Sequence, residues 1–133
     1  MNEGEALQRW VDESPFGPWW GLRVESASKG AAAVRLPHRP ELERLGGVLQ
    51  GACVVVVADV AMWVAIIATV PDGQHAVTVS LATDYLAAAR GDIIGTASLV
   101  KVGRRLIFGS VETRTLDGQL VAVHRVTYAR VAP

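Results

Sequence analysis

The sequence predicts an α+β domain in which a curved, mostly antiparallel sheet wraps one long central helix. Three observations carry that prediction. From Gly46 to Val70 the only strongly polar residues are Gln50 and Asp59, a run apolar on every helical face, as expected for a helix covered on most sides. Everything after Pro71-Asp72-Gly73 alternates apolar and polar residues with the period of strands. Helices and strands are also segregated along the chain, so the β-α-β alternation of a parallel sheet is absent.

Taken in order, residues 3–13 read as a short amphipathic helix with Ala6, Leu7, Trp10 and Val11 on one stripe, broken by Ser14-Pro15-Phe16-Gly17-Pro18. Two strands follow: Leu22, Val24 and Ser26 alternate with polar neighbours, as do Ala32, Val34 and Leu36 after the Lys29-Gly30 turn. Residues 37–47, with Pro37, Pro40 and Gly46-Gly47, read as a loop. The long helix is expected over 48–69. Strands are then expected at 77–81, 93–102, 105–115 and 119–131, with Asp117-Gly118 as a hairpin turn. No repeat or linker divides the chain, and its 133 residues are read as one domain.

Bulk properties narrow the function classes. With a formal net charge of zero there is no basic excess to displace counterions from nucleic acid. Half of the residues are hydrophobic, at the apolar end for a small domain, which makes burial against a second copy a reasonable expectation. The acidic start, Met1-Asn2-Glu3-Gly4-Glu5, lacks the basic-then-apolar pattern of a secretory signal. The single cysteine, Cys53, allows no intramolecular disulfide, and a cytoplasmic location is expected. A membrane span over 46–70 is long enough to be weighed, but Asp59 at its middle would cost roughly 2.5–3.5 kcal/mol on insertion. No membrane, nucleic-acid or metal partner is expected, since His38, His75 and His124 have no ligand-like spacing. No cofactor is expected either, because phosphate-loop and dinucleotide fingerprints are missing.

Asp59 is the most informative residue. A carboxylate inside an apolar helix must be paired, hydrated or protonated, so it is either a reactive group or a structural one tied to an arginine or a loop. Gly51, after Gln50 at the start of the same helix, offers free backbone N–H groups and a close approach for a carbonyl oxygen, or serves helix–sheet packing. Eight residues separate the two, roughly 12 Å at 1.5 Å per residue, so one carbonyl cannot touch both in one chain. Two antiparallel helices about a two-fold axis would bring Gly51 of one copy to Asp59 of the other. Trp63, four residues beyond Asp59, shares its face and serves as a pocket wall or as core packing. Arg90, Lys101, Arg104 and Arg105 cluster late, near turns.

The stretch Leu45-Gly46-Gly47-Val48-Leu49-Gln50-Gly51-Ala52, continuing to Ala58-Asp59-Val60-Ala61-Met62, resembles the helix signature of hotdog-fold thioesterases. The branch it is most similar to is the phenylacetate-pathway (PaaI-like) group with its 4-hydroxybenzoyl-CoA thioesterases. Ala76–Leu81 with Asp84–Gly91, Val102–Leu106 and Asp117–Ala122 resemble the strands that follow in that family. The resemblance implies a hotdog fold, a homodimer or homotetramer, and hydrolysis of an acyl-CoA or aryl-CoA thioester. It implies Asp59 as nucleophile or general base, Gly51 N–H as the group polarising the carbonyl, and Thr78 as a positioning hydroxyl. Gln50 stands where the family often has His, and Arg44 where it often has Asn. Gln50 retains a side-chain donor; Arg44 alters the water-positioning pattern. With Trp63 as pocket wall, Arg90 and Arg104 facing CoA phosphates, together with Arg44, complete the expected substrate contacts. The alternatives are a hotdog protein that binds acyl-CoA without hydrolysing it, and an enzyme acting on a carrier-protein thioester.

Overall fold

Helix α3, Gly51–Ile67, occupies the centre of the molecule: Cys53, Val54, Val57, Ala58, Ala61, Met62, Val64, Ala65 and Ile66 are buried, while Val55, Val56, Asp59, Val60, Trp63 and Ile67 form a half-buried face. The computed structural model, which describes residues 2–131, supplies the cover. Six strands form one sheet: β1 Arg23–Ser28, β2 Ala31–Leu36, β3 Val77–Tyr85, β4 Ile93–Val102, β5 Leu106–Thr115 and β6 Leu120–Ala129. Their order is β1-β2-β4-β5-β6-β3, with every neighbouring pair antiparallel. The sheet packs on α3 along its concave face, as expected of the α+β architecture. Two glycines let the layers approach. A Cβ on Gly95 would lie 2.6 Å from Val57 Cγ1, and one on Gly109 would lie 2.5 Å from Met62 Sδ.

The helix is shorter than the expected 48–69, for a tertiary reason. Leu49 N–H donates to Ala89 O and Gln50 N–H to Leu42 O, so both residues belong to a pinned extended segment. At the other end Thr69 turns its hydroxyl back on Ala65 O at 2.6 Å and accepts Gly30 N–H at 2.8 Å. No helix among the described residues is long and apolar enough to cross a membrane.

The N-terminal segment departs further from expectation. Helix α1, Glu3–Glu13, is capped by Asn2, whose side chain accepts Glu5 N–H at 2.8 Å. Its buried stripe is Leu7, Gln8 and Val11, whereas Ala6 and Trp10 face outward. Gln8 is buried because it bridges elements, donating to Leu22 O and accepting from Val24 N–H. The expected break at 14–18 overlaps a second helix, α2 Phe16–Trp20. Pro18 is tolerated there because it sits in the first turn, where no backbone N–H has an intrahelical acceptor. Arg39 holds this helix by donating to Trp19 O and Trp20 O and stacking 5.0 Å over the Trp19 ring.

β3 runs four residues past the expected 81, because Ala82–Tyr85 continue the ladder with β6 opposite Arg125–Ala122. It is an edge strand, and Val77 and Val79 leave more than half their surface in solvent. β4 coincides with its expected range, and β5 and β6 begin one residue late.

His124 on β6 is buried, its two ring nitrogens 2.8 Å from Thr83 Oγ1 and Thr113 Oγ1. Burial pushes its pKa down to about 4 from the ordinary 6.5. The unfolded chain therefore binds more protons between these values, and stability falls as pH drops from 6.5 towards 4. We expect a loss of about 3 kcal/mol across that window, read by urea unfolding at several pH values. Replacement His124→Gln should flatten that part of the dependence, and an unchanged curve would remove His124 as its cause.

Candidate active site

Asp59 projects from the middle of α3 into a cavity of about 320 Å³ between α3, the α1–α2 segment and the start of β3. Phe16, Leu22, Val60 and Trp63 make most of the walls apolar, and Thr78 and Tyr128 join Asp59 on the polar side. The polar group is built by sheet register. Thr78 lies directly opposite Tyr128 in the β3–β6 ladder, so both hydroxyls reach the same carboxylate. Thr78 Oγ1 donates to Asp59 Oδ1 at 2.8 Å, and Tyr128 donates to the same oxygen at 2.8 Å. A bulge follows immediately, between Thr78 and Ser80.

Tyr128 is 3 % exposed. Burial, and then the Asp59 charge, push its phenol well above the ordinary range, so the neutral, proton-donating form is favoured. Trp63 is oriented too: its indole N–H donates to Gln74 O at 3.2 Å, which turns the ring into a fixed wall. Asp59 is paired to hydroxyls, not to an arginine, and faces an apolar cavity large enough for a small acyl group. Such a carboxylate can attack an electrophilic carbon or take a proton from water.

A second grouping lies at the N-terminus of α3. Gly51, Arg44, Leu49, Tyr85 and Ala88 line a separate concavity of about 540 Å³. Gly51 is the first helical residue and Gln50 its N-cap, with no capping bond from the Gln50 side chain. Both are exposed. Tyr85 donates to Gly51 O at 2.9 Å, and a Cβ on Gly51 would stand 3.2 Å from the Tyr85 hydroxyl. Gly51 thus packs tightly against a residue of β3, while its exposed position at the helix start leaves it accessible from solvent.

The sequence-predicted residues thus divide. Asp59, Trp63 and Thr78 share one cavity. Arg44 and Gly51 share the other, with Gln50 adjoining. Arg104 lines neither; with Arg105 and Arg130 it borders a neighbouring groove that meets the Asp59 cavity at Ala76. Arg90 donates to Gly46 O at 2.8 Å and borders a groove that meets the Gly51 concavity at Ala88. Tyr128 and Tyr85 were not anticipated. The signal for Tyr128 lay in its place on the inward phase of the last strand, but its partner across the sheet is fixed only by register.

Comparison with known proteins bears on this arrangement. Residues 46–122 match the thioesterase superfamily. A protein of Halobacterium salinarum whose name marks it as a candidate esterase is 32% identical over 102 residues, covering 73% of this chain and 68% of its own. A conserved protein of Pseudomonas aeruginosa superposes with a TM-score of 0.81 at 30% identity, covering 89% of this chain and 94% of its own. Zebrafish thioesterase superfamily member 2 does so at 0.81 and 27% identity, covering 95% and 94%.

Proposed function

This chain belongs to the thioesterase superfamily and has its hotdog fold, and from that premise we propose that it hydrolyses an acyl-CoA or aryl-CoA thioester to the free acid and CoA. The observation that carries the reading is Asp59, held by two hydroxyls at the head of an apolar cavity. In this reading the acyl group enters the cavity and its thioester carbonyl lies at the carboxylate. Asp59 either attacks the carbonyl carbon, giving a mixed anhydride that water then hydrolyses to the acid and free Asp59, or removes a proton from the water that attacks. The C–S bond breaks, and CoA leaves as thiolate, which needs little help from a general acid.

Negative charge builds on the carbonyl oxygen, and the backbone N–H of Gly51 is the group we assign to it. Asp59 and Gly51 of one chain line different cavities, so the site is completed by a second copy. The open edge of β3, with its exposed Val77 and Val79, supports such pairing, since an uncovered strand edge is a template for another strand. Gln50 adjoins that carbonyl site as a further donor. Arg104, beside the Asp59 cavity, and Arg44 and Arg90, beside the Gly51 concavity, are assigned to the CoA phosphates. The reading includes a cytoplasmic protein, at least dimeric.

The test is thiol release from CoA esters of acetyl through palmitoyl, benzoyl, hydroxybenzoyl and phenylacetyl groups. The cavity size and the fixed Trp63 wall favour aryl and short acyl groups, so we expect Trp63→Ala to raise relative activity on longer chains at least about tenfold. Binding of acyl-CoA with no thiol release from any ester would replace hydrolysis with ligand binding. An unchanged chain-length profile in Trp63→Ala would remove Trp63 as the wall.

A further inference from the structure

Thr78 and Tyr128 both place their protons on Oδ1 of Asp59. Among the described residues no side chain donates to Oδ2, so the two carboxylate oxygens are not equivalent. Two donors on one oxygen fix the carboxyl plane and draw charge towards Oδ1. We propose that Tyr128 is a positioning residue for the reaction: with Thr78 it clamps Oδ1, and so presents Oδ2 as the oxygen that meets the substrate carbonyl or its attacking water. The inference rests on the thioesterase reading, and adds to it a residue and a choice of oxygen.

The geometry of the phenol supports a role during the reaction as well as before it. The Tyr128 hydroxyl also lies 3.0 Å from the main-chain oxygen of Asp59. One proton cannot serve both acceptors fully at once. It goes to Oδ1 while the carboxylate is charged. When Oδ2 takes up a proton or bonds to carbon, the charge on Oδ1 falls and the phenol can lean towards the main-chain oxygen. A buried hydroxyl thus keeps a partner in either state, which avoids the cost of an unsatisfied group.

Tyr128→Phe tests this with minimal damage, because the ring stays in the core and only the hydroxyl is lost. We expect kcat for thioester hydrolysis to fall on the order of tenfold to a hundredfold, with KM within about threefold. Thr78→Ala and Tyr128→Phe together should cost less than the product of the single losses, because both act through one oxygen. A merely structural tyrosine would lower the melting temperature and leave kcat and KM unchanged, and that result would overturn the proposal. A second readout needs no substrate: the 13C resonance of the Asp59 carboxyl at one fixed, near-neutral pH. It should be displaced in Tyr128→Phe relative to wild type, because the carboxylate has lost a donor, and coincident resonances would overturn the clamp. Wild type inactive on every thioester, with the resonance shifted as expected, would overturn the thioesterase reading and keep the clamp.

Discussion

Asp59→Asn should lower thiol release by about two to four orders of magnitude while the protein keeps its fold. The amide has the shape of the carboxylate and its oxygen can still accept from Thr78 and Tyr128, which hold Oδ1 now. What disappears is the charge, and with it both the nucleophile and the base. The loss should fall on kcat, because the apolar walls from Phe16, Leu22 and Val60 are untouched. Steady-state thiol release, with circular dichroism and size-exclusion chromatography alongside, measures it. Wild-type kcat in this variant would end the assignment of Asp59, and would turn attention to the separate concavity around Gly51 and Arg44.

The second large effect concerns the division of the site between copies. Gly51→Val should disable the carbonyl-polarising end: the added side chain meets the Tyr85 hydroxyl and covers the helix N-terminus. Neither Asp59→Asn nor Gly51→Val should be active alone. Mixed and allowed to exchange subunits, they should regain about one quarter of wild-type activity. Half of randomly formed dimers are mixed, and each then holds one intact site of two. A site within one chain gives no recovery, since each chain carries a lesion. Recovery is read by thiol release after co-unfolding and refolding equal amounts of the two, and a mixture as inactive as its components would overturn the shared site.

The sequence disclosed the architecture where local signals are unambiguous. An all-apolar run holding one carboxylate can only be a covered helix, and strict alternation marked β4 and β5 almost to the residue. It misled where distant partners decide. Val48, Leu49 and Gln50 have helical composition, but Ala89 and Leu42 claim the backbone N–H groups of Leu49 and Gln50. Pro15, Gly17 and Pro18 read as breakers although a proline in a first turn breaks nothing. The site divides along the same line. Trp63 is four residues from Asp59 on one helix, so the chain itself announces their proximity. Thr78 was reached through family resemblance. Tyr128 lies 69 positions from Asp59, and nothing short of the β3–β6 register says that they touch.

The walls of the Asp59 cavity have two origins. Val11, Ser14, Phe16, Gly17 and Leu22 come from the N-terminal segment, whereas Asp59 and Thr78 belong to the helix and strand that follow. The superfamily match, residues 46–122, contains the second set and none of the first. Part of the cavity wall therefore sits on a different stretch of polypeptide from the carboxylate, while Val60 and Trp63 share its helix. Exchanging the first twenty-two residues for those of a relative would remodel the acyl chamber without moving the carboxylate or the helix that carries it. A protein arranged in this way can diversify its diet by trading its leading segment, with its chemistry inherited intact.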